Sequence, residues 1–496
     1  MTELLLDQPL SPQDVCDIAW KRKKIQLSDA ARQRLQEAHR RLRVLVDGEG
    51  AAYGLNTGVG GLSDTRITSK KQSTLSRKIL FSHATGIGQP LSAEATRAIM
   101  ACAVNEYCLG YSGLRADIVD RLVALLNHDC LPIVPRDGSV GYLTHMAHIS
   151  LTLIGHGILQ VNNTEQSAAE VLKRLGFEPL ILEAKEGLCL VNGLSCATGI
   201  ASLVTEEAAT CLQWADRIAA ATFDVLGGQQ RAFDPRSTIL RTMPGHQTVS
   251  HCLNKDLAGS ARIAKFQGQR TQDALSLRAI PHIHGSVHDA LASIRQTVTQ
   301  ELCSLSDNPA ILEDETGISA FSEAHAVGAS IARVMDEAAI ALASLGAVSE
   351  RRLDRMVNPL TSPFPPFLSS DSGTGSGFMI AQYTATSLVS ASRRNALPAS
   401  LDGGITSGLQ EDILVHATPA ALKARKVVAN TRSILAIELL ALCQAIDLAD
   451  LTQEVAPRTL ALYNTVRTII PLYEEDHPLA ADITRLEALM LEGPPL

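Results

Sequence analysis

Apolar positions recur at helical spacing along most of the chain. Residues 29–46 (DAARQRLQEAHRRLRVLV) put Leu35, Leu42 and Val46 on one side and charged residues on the other, which predicts an amphipathic helix. Residues 193–223, 332–351 and 420–447 are apolar around most of their circumference, and 332–351 is rich in alanine with few β-branched positions. They predict long, mostly buried helices, the last about 40 Å long if fully helical. Period-two alternation is scarce, and a short strand is expected only near 177–183. Helices that are apolar nearly all round must be covered by neighbours or by other chains. The expected class is therefore mainly α, a long-helix bundle that assembles into an oligomer.

Glycine and proline gather at 53–61, 132–141, 357–377 and 398–408, which marks these stretches as loops. No Gly/Ser-rich or Pro-rich linker and no internal repeat divides the chain. Residues 1–496 thus read as a single α-helical unit, with an N-terminal lobe over 1–190 and a long helical bundle with C-terminal helices over 191–496.

Composition narrows the function. Hydrophobic residues make up 46% and charged residues 19%, which excludes disorder and allows a large core. The net charge of −8 is spread along the chain, so the clustered basic face of a nucleic-acid binder is missing. Aromatic residues are only 4%, too few for a base-stacking platform. No run of 18 uninterrupted apolar residues argues for a membrane span, and the opening MTELLLDQPLSPQD does not read as a secretory signal. Ten cysteines without a CxxC pair read as buried thiols of a cytoplasmic protein.

The loops carry the chemistry. YGLNTGVG at 53–60, FSHATGIG at 81–88, GSVG at 138–141, LVNG at 190–193 and QDALSLR at 272–278 follow one another in order. SDNP at 306–309, SERR at 349–352, PPFL at 365–368, SGFMIAQ at 376–382 and QED at 410–412 complete the series. Singly these motifs are weak; ten in order are specific. The chain resembles the histidine ammonia-lyase branch of the aromatic amino acid lyase family over residues of about 15 to 470.

The resemblance implies a nearly all-α homotetramer of the histidine ammonia-lyase/fumarase-like type, with active sites built from loops of three subunits. It implies carbon–nitrogen lyase activity on a small molecule. Tyr53 corresponds to the catalytic base; a phenol serves if neighbouring positive charge lowers its pKa. Arg278 corresponds to the arginine that grips the substrate carboxylate with its planar fork, and Asn192 and Gln272 to the amides beside the amino and carboxylate groups. Ser82 and His83, together with Glu411, match the pattern that accompanies an imidazole substrate. A carboxylate accepts one ring N–H and a histidine pairs with the other nitrogen. The bland readings stand beside these: a stacked loop tyrosine, a surface arginine, buried structural amides and a core histidine.

At one place the chain departs from the family. The family's electrophile, methylidene-imidazolone (MIO), forms from an Ala-Ser-Gly triplet directly after the GSVG motif. Here Gly141 runs straight into Tyr142, where the family's post-triplet aspartate stands, and the gap is the length of the triplet. Leu275 replaces the tyrosine before Ser-Leu-Arg, and His325 to Ser330 replace the Asn-Phe-x-x-Glu-Pro stretch. Gly141 and Tyr142 read as the remnant of the MIO loop, and no cofactor is expected. Without MIO the substrate must bring a good leaving group, and a trimethylammonium betaine with an imidazole ring does so. The known relative with that chemistry is ergothionase. Three alternatives stay open: an MIO-dependent ammonia-lyase or aminomutase whose triplet is missing from the sequence as read, an inactive scaffold, and a metal-assisted lyase. The last would use His282, His284 and His288 or His145 and His148, but no carboxylate or cysteine spacing completes a metal site.

Overall fold

A computed structural model of the chain describes residues 3–48 and 53–495. Among them are nineteen α-helices and nine strands of at most five residues, the strands paired in four small sheets. The mainly α class expected from the periodicity is the one formed. The predicted long helices run over Ser195–Val225, Ala329–Val357 and Ala417–Leu448, and the amphipathic one over Asp29–Asp47. In the last, Leu35 and Leu42 are buried, and Val46 packs at the edge of the same small core. Its start is fixed by Ser28, whose hydroxyl accepts from the Ala31 amide at 3.0 Å, a cap worth about 1 kcal/mol.

Two compact units divide the chain. The first comprises Met1–Glu206, Arg295–Asp336 and Pro398–Leu422; the second comprises Glu207–Ile294, Glu337–Leu397 and Lys423–Leu496. In the first, Tyr107 is fully buried and its hydroxyl donates to the Cys189 carbonyl at 3.1 Å. In the second, Trp214, Phe223 and Phe233 are among the largest fully buried side chains, with the two phenylalanine rings 4.8 Å apart. Ala417–Leu448 is long and apolar enough to cross a bilayer, yet 83% of its most apolar window is buried inside the fold, so its apolarity is spent on the core.

The strand expected near 177–183 is not formed. Pro179 removes a backbone donor from the middle of the run, and the Leu180 amide instead bonds the Leu153 carbonyl at 3.0 Å. The nearest ladder is a hairpin of Ile158–Val161 and Thr164–Ser167. Its two turn residues, Asn162 and Asn163, both have positive φ (48° and 61°), as a type I′ turn requires. All ten cysteines are free thiols; eight are buried, Cys252 is half-buried and Cys303 is exposed.

Candidate active site

Three loops of the first unit are tied together by a handful of polar contacts. The loop after Tyr53 turns back on itself: the Gly60 amide donates to the Tyr53 hydroxyl at 3.1 Å. Gly60 has φ +55°, and a Cβ there would lie 2.3 Å from Ser407 Oγ, so only glycine fits. The neighbouring Gly61 amide donates to that same Ser407 hydroxyl at 3.1 Å. This joins the tyrosine loop to the 403–411 loop. There, Thr406 donates its hydroxyl to Glu411 Oε2 at 2.8 Å and its amide to the Glu411 carbonyl at 2.9 Å, which holds the carboxylate in place.

The GSVG segment is the third loop. Thr418 donates to the Gly141 carbonyl at 3.2 Å, and Ser139 Oγ bridges the Gly141 amide and the Tyr142 carbonyl. Leu143 then takes φ +71° and ψ −73° while the Thr144 amide bonds back to the Tyr142 carbonyl at 3.0 Å. That is a γ-turn of the rare, strained hand, occupied by a branched residue. The turn is pinned from outside by the Leu143 amide on the Val191 carbonyl at 3.0 Å. The second segment that departs from the family converges on the same spot. A Cβ on Gly141 would lie 3.7 Å from the Ala417 methyl, and one on Gly328 would lie 3.0 Å from it.

The side chains gathered here are Tyr53, His83, Tyr142 and Glu411. Tyr142 is half-buried, with the Glu411 carboxylate acting on its phenol. Burial first, then the Glu411 carboxylate and the Tyr53 oxygen, push the Tyr142 hydroxyl up to about 12, so it stays protonated. His83 ends the Ser69–His83 helix and is also half-buried. Burial holds its imidazole below the ordinary range, opposed by the Ile79 carbonyl and by Glu411. Ser82 gives its own hydrogen to the Ile79 carbonyl at 3.2 Å and meets His83 Nδ1 at 3.0 Å. With that hydrogen on Ile79, the serine oxygen is free to accept from Nδ1–H, the tautomer that leaves Nε2 as an acceptor. Ser82 thus orients the histidine.

Asn192 follows Val191, the residue that pins the turn. Its amide nitrogen donates to Asp307 Oδ1 at 3.2 Å and to the Asn308 carbonyl at 3.0 Å, so the amide is engaged in holding the SDNP segment. Gln272 and Arg278 belong to the second unit. Gln272 is exposed, and Arg278, at the end of a short helix over Leu275–Arg278, donates Nε to the Asp273 carbonyl at 3.0 Å.

The histidines weighed as metal ligands are taken up by other partners. His284 and His288 each bond Asp216 at 2.7 Å, and Arg352 donates to the remaining nitrogen of His284 at 3.2 Å. His282 stacks on His246, 4.5 Å between ring centroids. His145 bonds the Arg136 carbonyl at 2.9 Å, and His148 accepts from the Gly86 amide at 3.1 Å. Among the described residues no group of three His, Cys, Asp or Glu side chains is placed to hold a metal ion.

Thr406, Ser407 and Thr418, which position the cluster, carry no motif of their own. Ser407 is 346 residues from its partner Gly61, and no spacing rule reaches that far. The role of Tyr142 beside Glu411 also went unread: at sequence level it stands only as the residue after a gap.

The family model for aromatic amino acid lyases matches residues 10–468. The chain belongs to the aromatic amino acid lyase family. A histidine ammonia-lyase of Symbiobacterium thermophilum is 38% identical over 99% of this chain and 97% of its own. Among solved structures, the tyrosine aminomutase of Streptomyces globisporus superposes with a TM-score of 0.93 at 31% identity, covering 99% of this chain and 97% of that one. Ergothionase of Treponema denticola, an ergothioneine-degrading enzyme solved with desmethyl-ergothioneine sulfonic acid, superposes with a TM-score of 0.90 at 26% identity over 99% of both chains. The chain is thus a carbon–nitrogen lyase of this family, on the histidine ammonia-lyase side of it. The family's electrophile does not fit the residues present. No Ala-Ser-Gly triplet occurs anywhere in the sequence, and the place after Gly141 holds Tyr142 and Leu143 in a closed turn.

Proposed function

We propose that this lyase performs β-elimination on an imidazole-bearing amino acid betaine, releasing trimethylamine and a urocanate-like acrylate, without MIO. The observation that carries the reading is the cluster itself: an acceptor histidine and a carboxylate stand beside two tyrosines, at the point where the electrophile-forming triplet is missing. His83 Nε2 accepts one imidazole N–H of the substrate, and Glu411 takes the other side of the ring. Tyr53 removes the β-proton; the Gly60 amide stays on its oxygen in either protonation state. The C–H electron pair becomes the new C=C bond as the C–N bond breaks, and its electrons leave on neutral trimethylamine. A quaternary nitrogen is cationic at every pH, so no covalent activation is needed. Asn192, Gln272 and Arg278 are read as the groups that meet the amino-nitrogen and carboxylate end.

The same reading includes a homotetramer with shared sites. In the first unit Leu401 is 80% exposed, and Ile405, Leu409 and Ile413 are each exposed by more than half; apolar side chains left open in this way support burial against other copies. Light scattering that returned a stable monomer would remove the assembly.

The decisive experiment is a mass-spectrometric assay of purified protein against histidine, histidine betaine (hercynine) and ergothioneine. Trimethylamine and an acrylate are expected from a betaine, with no ammonia from histidine. Ammonia and urocanate from histidine would restore the MIO-dependent ammonia-lyase, the second reading, favoured by the 38% identity to a histidine ammonia-lyase. No product from any of the three would favour the inactive scaffold.

A further inference from the structure

Asn192 is held by contacts that decide which way round its side-chain amide lies. Its Nδ2 donates to Asp307 Oδ1 at 3.2 Å and to the Asn308 carbonyl at 3.0 Å. Both partners can only accept. Turning the amide over would set its oxygen against the two of them, so chemistry fixes the orientation. Asp307 is fixed in turn. Its Oδ1 also accepts from the Asn308 amide at 2.8 Å, and its Oδ2 pairs with Lys185 Nζ at 2.6 Å. Both of these side chains are at most 1% exposed. The lysine's other two hydrogens go to the Ser112 carbonyl and to Cys189 Sγ, each at 3.0 Å, so the whole ammonium is satisfied. The backbone after Asn192 is pressed onto the same segment. The Leu194 amide donates to Ser306 Oγ at 2.7 Å, and a Cβ on Gly193 (φ +90°) would lie 2.9 Å from that oxygen. One pole of the half-buried Asn192 stays open. Among the described residues its Oδ1 takes no hydrogen bond, and it is not one of the atoms sealed from solvent.

We propose that Asn192 offers the substrate an oxygen and no N–H, and so meets its cationic nitrogen rather than its carboxylate. Lys185 and Asp307 are the positioning residues that hold it that way. An amide oxygen is the negative end of a dipole, which attracts an ammonium and repels a carboxylate. A trimethylammonium spreads its charge over its methyl groups, so the attraction needs no N–H. The carboxylate requires donors instead, and Arg278 and Gln272 supply them. The division of labour rests on the elimination reading for Asn192's place at this end of the substrate. It does not depend on which amine leaves, and it can be measured without turnover.

The test uses the full-length protein, titration calorimetry and two half-substrates. N,N,N-trimethylhistamine carries the ring and the cation without a carboxylate; imidazolepropionate carries the ring and the carboxylate without the nitrogen. Asn192→Leu should weaken trimethylhistamine by roughly 5–30-fold and leave imidazolepropionate within about twofold. Lys185→Met combined with Asp307→Leu removes the buried pair without stranding a charge. It should shift the ratio of the two affinities in the same direction and by less, because the Asn308 carbonyl still holds one amide hydrogen. A purely structural role would weaken both probes alike and leave the ratio unchanged. If the variants fail to fold, wild type alone still decides. It should bind trimethylhistamine more tightly than the neutral isostere in which carbon replaces the quaternary nitrogen, and equal binding overturns the proposal. So does an Asn192→Leu variant that loses imidazolepropionate instead. Trimethylamine release together with either of those results removes the orientation alone. A cation probe that tracks Asn192 in a protein that cleaves no betaine removes the betaine reading and leaves the orientation standing.

Discussion

The cluster around Glu411 and the network around Glu438 hold the same kinds of side chain and differ in how completely they are used. In the second unit, Glu438 and Arg352 are fully buried and paired at 2.7 and 2.9 Å. Thr222 and Ser349 also donate to Glu438, and Arg352, His284 and Asp216 continue the chain to His288. Every strong acceptor there has its donor, as a buried network must. Around Glu411, Tyr53, His83 and Tyr142 are only half-buried, and the hydrogen-bonded contact of the His83 ring is with Ser82 through Nδ1 alone. Saturated groups hold a fold; groups with capacity to spare can take a substrate. This contrast separates the two sets of histidines better than their spacing along the chain does.

The contrast can be broken from either side. The largest effect is expected at the base. Tyr53→Phe should lower turnover of the substrate by roughly 10²–10⁴-fold with little change in binding, because the hydroxyl acts in the transition state. Loss of binding with turnover intact, in steady-state kinetics, would move Tyr53 out of the base role. Next comes Arg352→Met, which strands the Glu438 carboxylate in the core. Breaking a buried pair by removing one partner costs about 3–5 kcal/mol, so denaturant unfolding at fixed protein concentration should shift strongly. Arg352→Met combined with Glu438→Leu should recover much of the loss. A single variant as stable as wild type would mean the network is not saturated after all.

Glu411→Gln should raise KM for an imidazole substrate and blunt discrimination against a phenyl analogue. An unpartnered buried polar group costs about 1–3 kcal/mol, and Michaelis constants for the two substrates measure it. If Glu411 were the base instead, Glu411→Gln would lose turnover and Tyr53→Phe would lose ring discrimination. The smallest effect is a pH slope. Glu106 is buried against Ser306 and Ser195, and burial, reinforced by Asp307, raises its carboxyl from 4.5 to about 7. A carboxyl raised by folding binds its proton more tightly in the native state than in the unfolded one. Its contribution is therefore complete below pH 4.5 and declines as pH rises to about 7. In Glu106→Gln the group stays neutral throughout, so stability should fall less over that window than in wild type. Identical slopes in thermal melts across the window would remove Glu106 as the cause.

The long helices were legible because their apolar residues cover nearly the whole circumference, a pattern that tertiary context rarely overrides. The hairpin over 158–167 has a faint signal of its own in Asn162-Asn163, a two-residue turn between two short runs. At 177–183 alternation suggests a strand, but Pro179 removes a backbone donor from the run. In the site, Tyr53, His83 and Glu411 could be found because each sits in a local motif. What brings them together could not. Ser407 reaches Gly61, Thr418 reaches Gly141, and Gly328 meets Ala417 through contacts that only the folded chain creates. The position of Tyr142 beside Glu411 depends on a left-handed leucine, a conformation that residue type argues against.

The bond from Thr418 to the Gly141 carbonyl also sets a schedule. Its partners are separated by 277 residues, and a ribosome adding about 5–20 residues per second needs roughly 15–55 s to pass from one to the other. Through most of that interval the segment at 138–144 has its local bonds and Val191 but not Thr418, and Glu411 has emerged for hardly any of it. The apolar helix from Ala417 comes out later still, so the earlier helices wait with surfaces that only this helix will cover. The pieces around Tyr53, His83 and Leu143 can form early, but the cluster is completed only late, when Glu411 and Thr418 arrive. Truncation upstream of Ala417 would therefore leave a nascent chain with exposed apolar faces, a substrate for chaperones rather than a smaller enzyme.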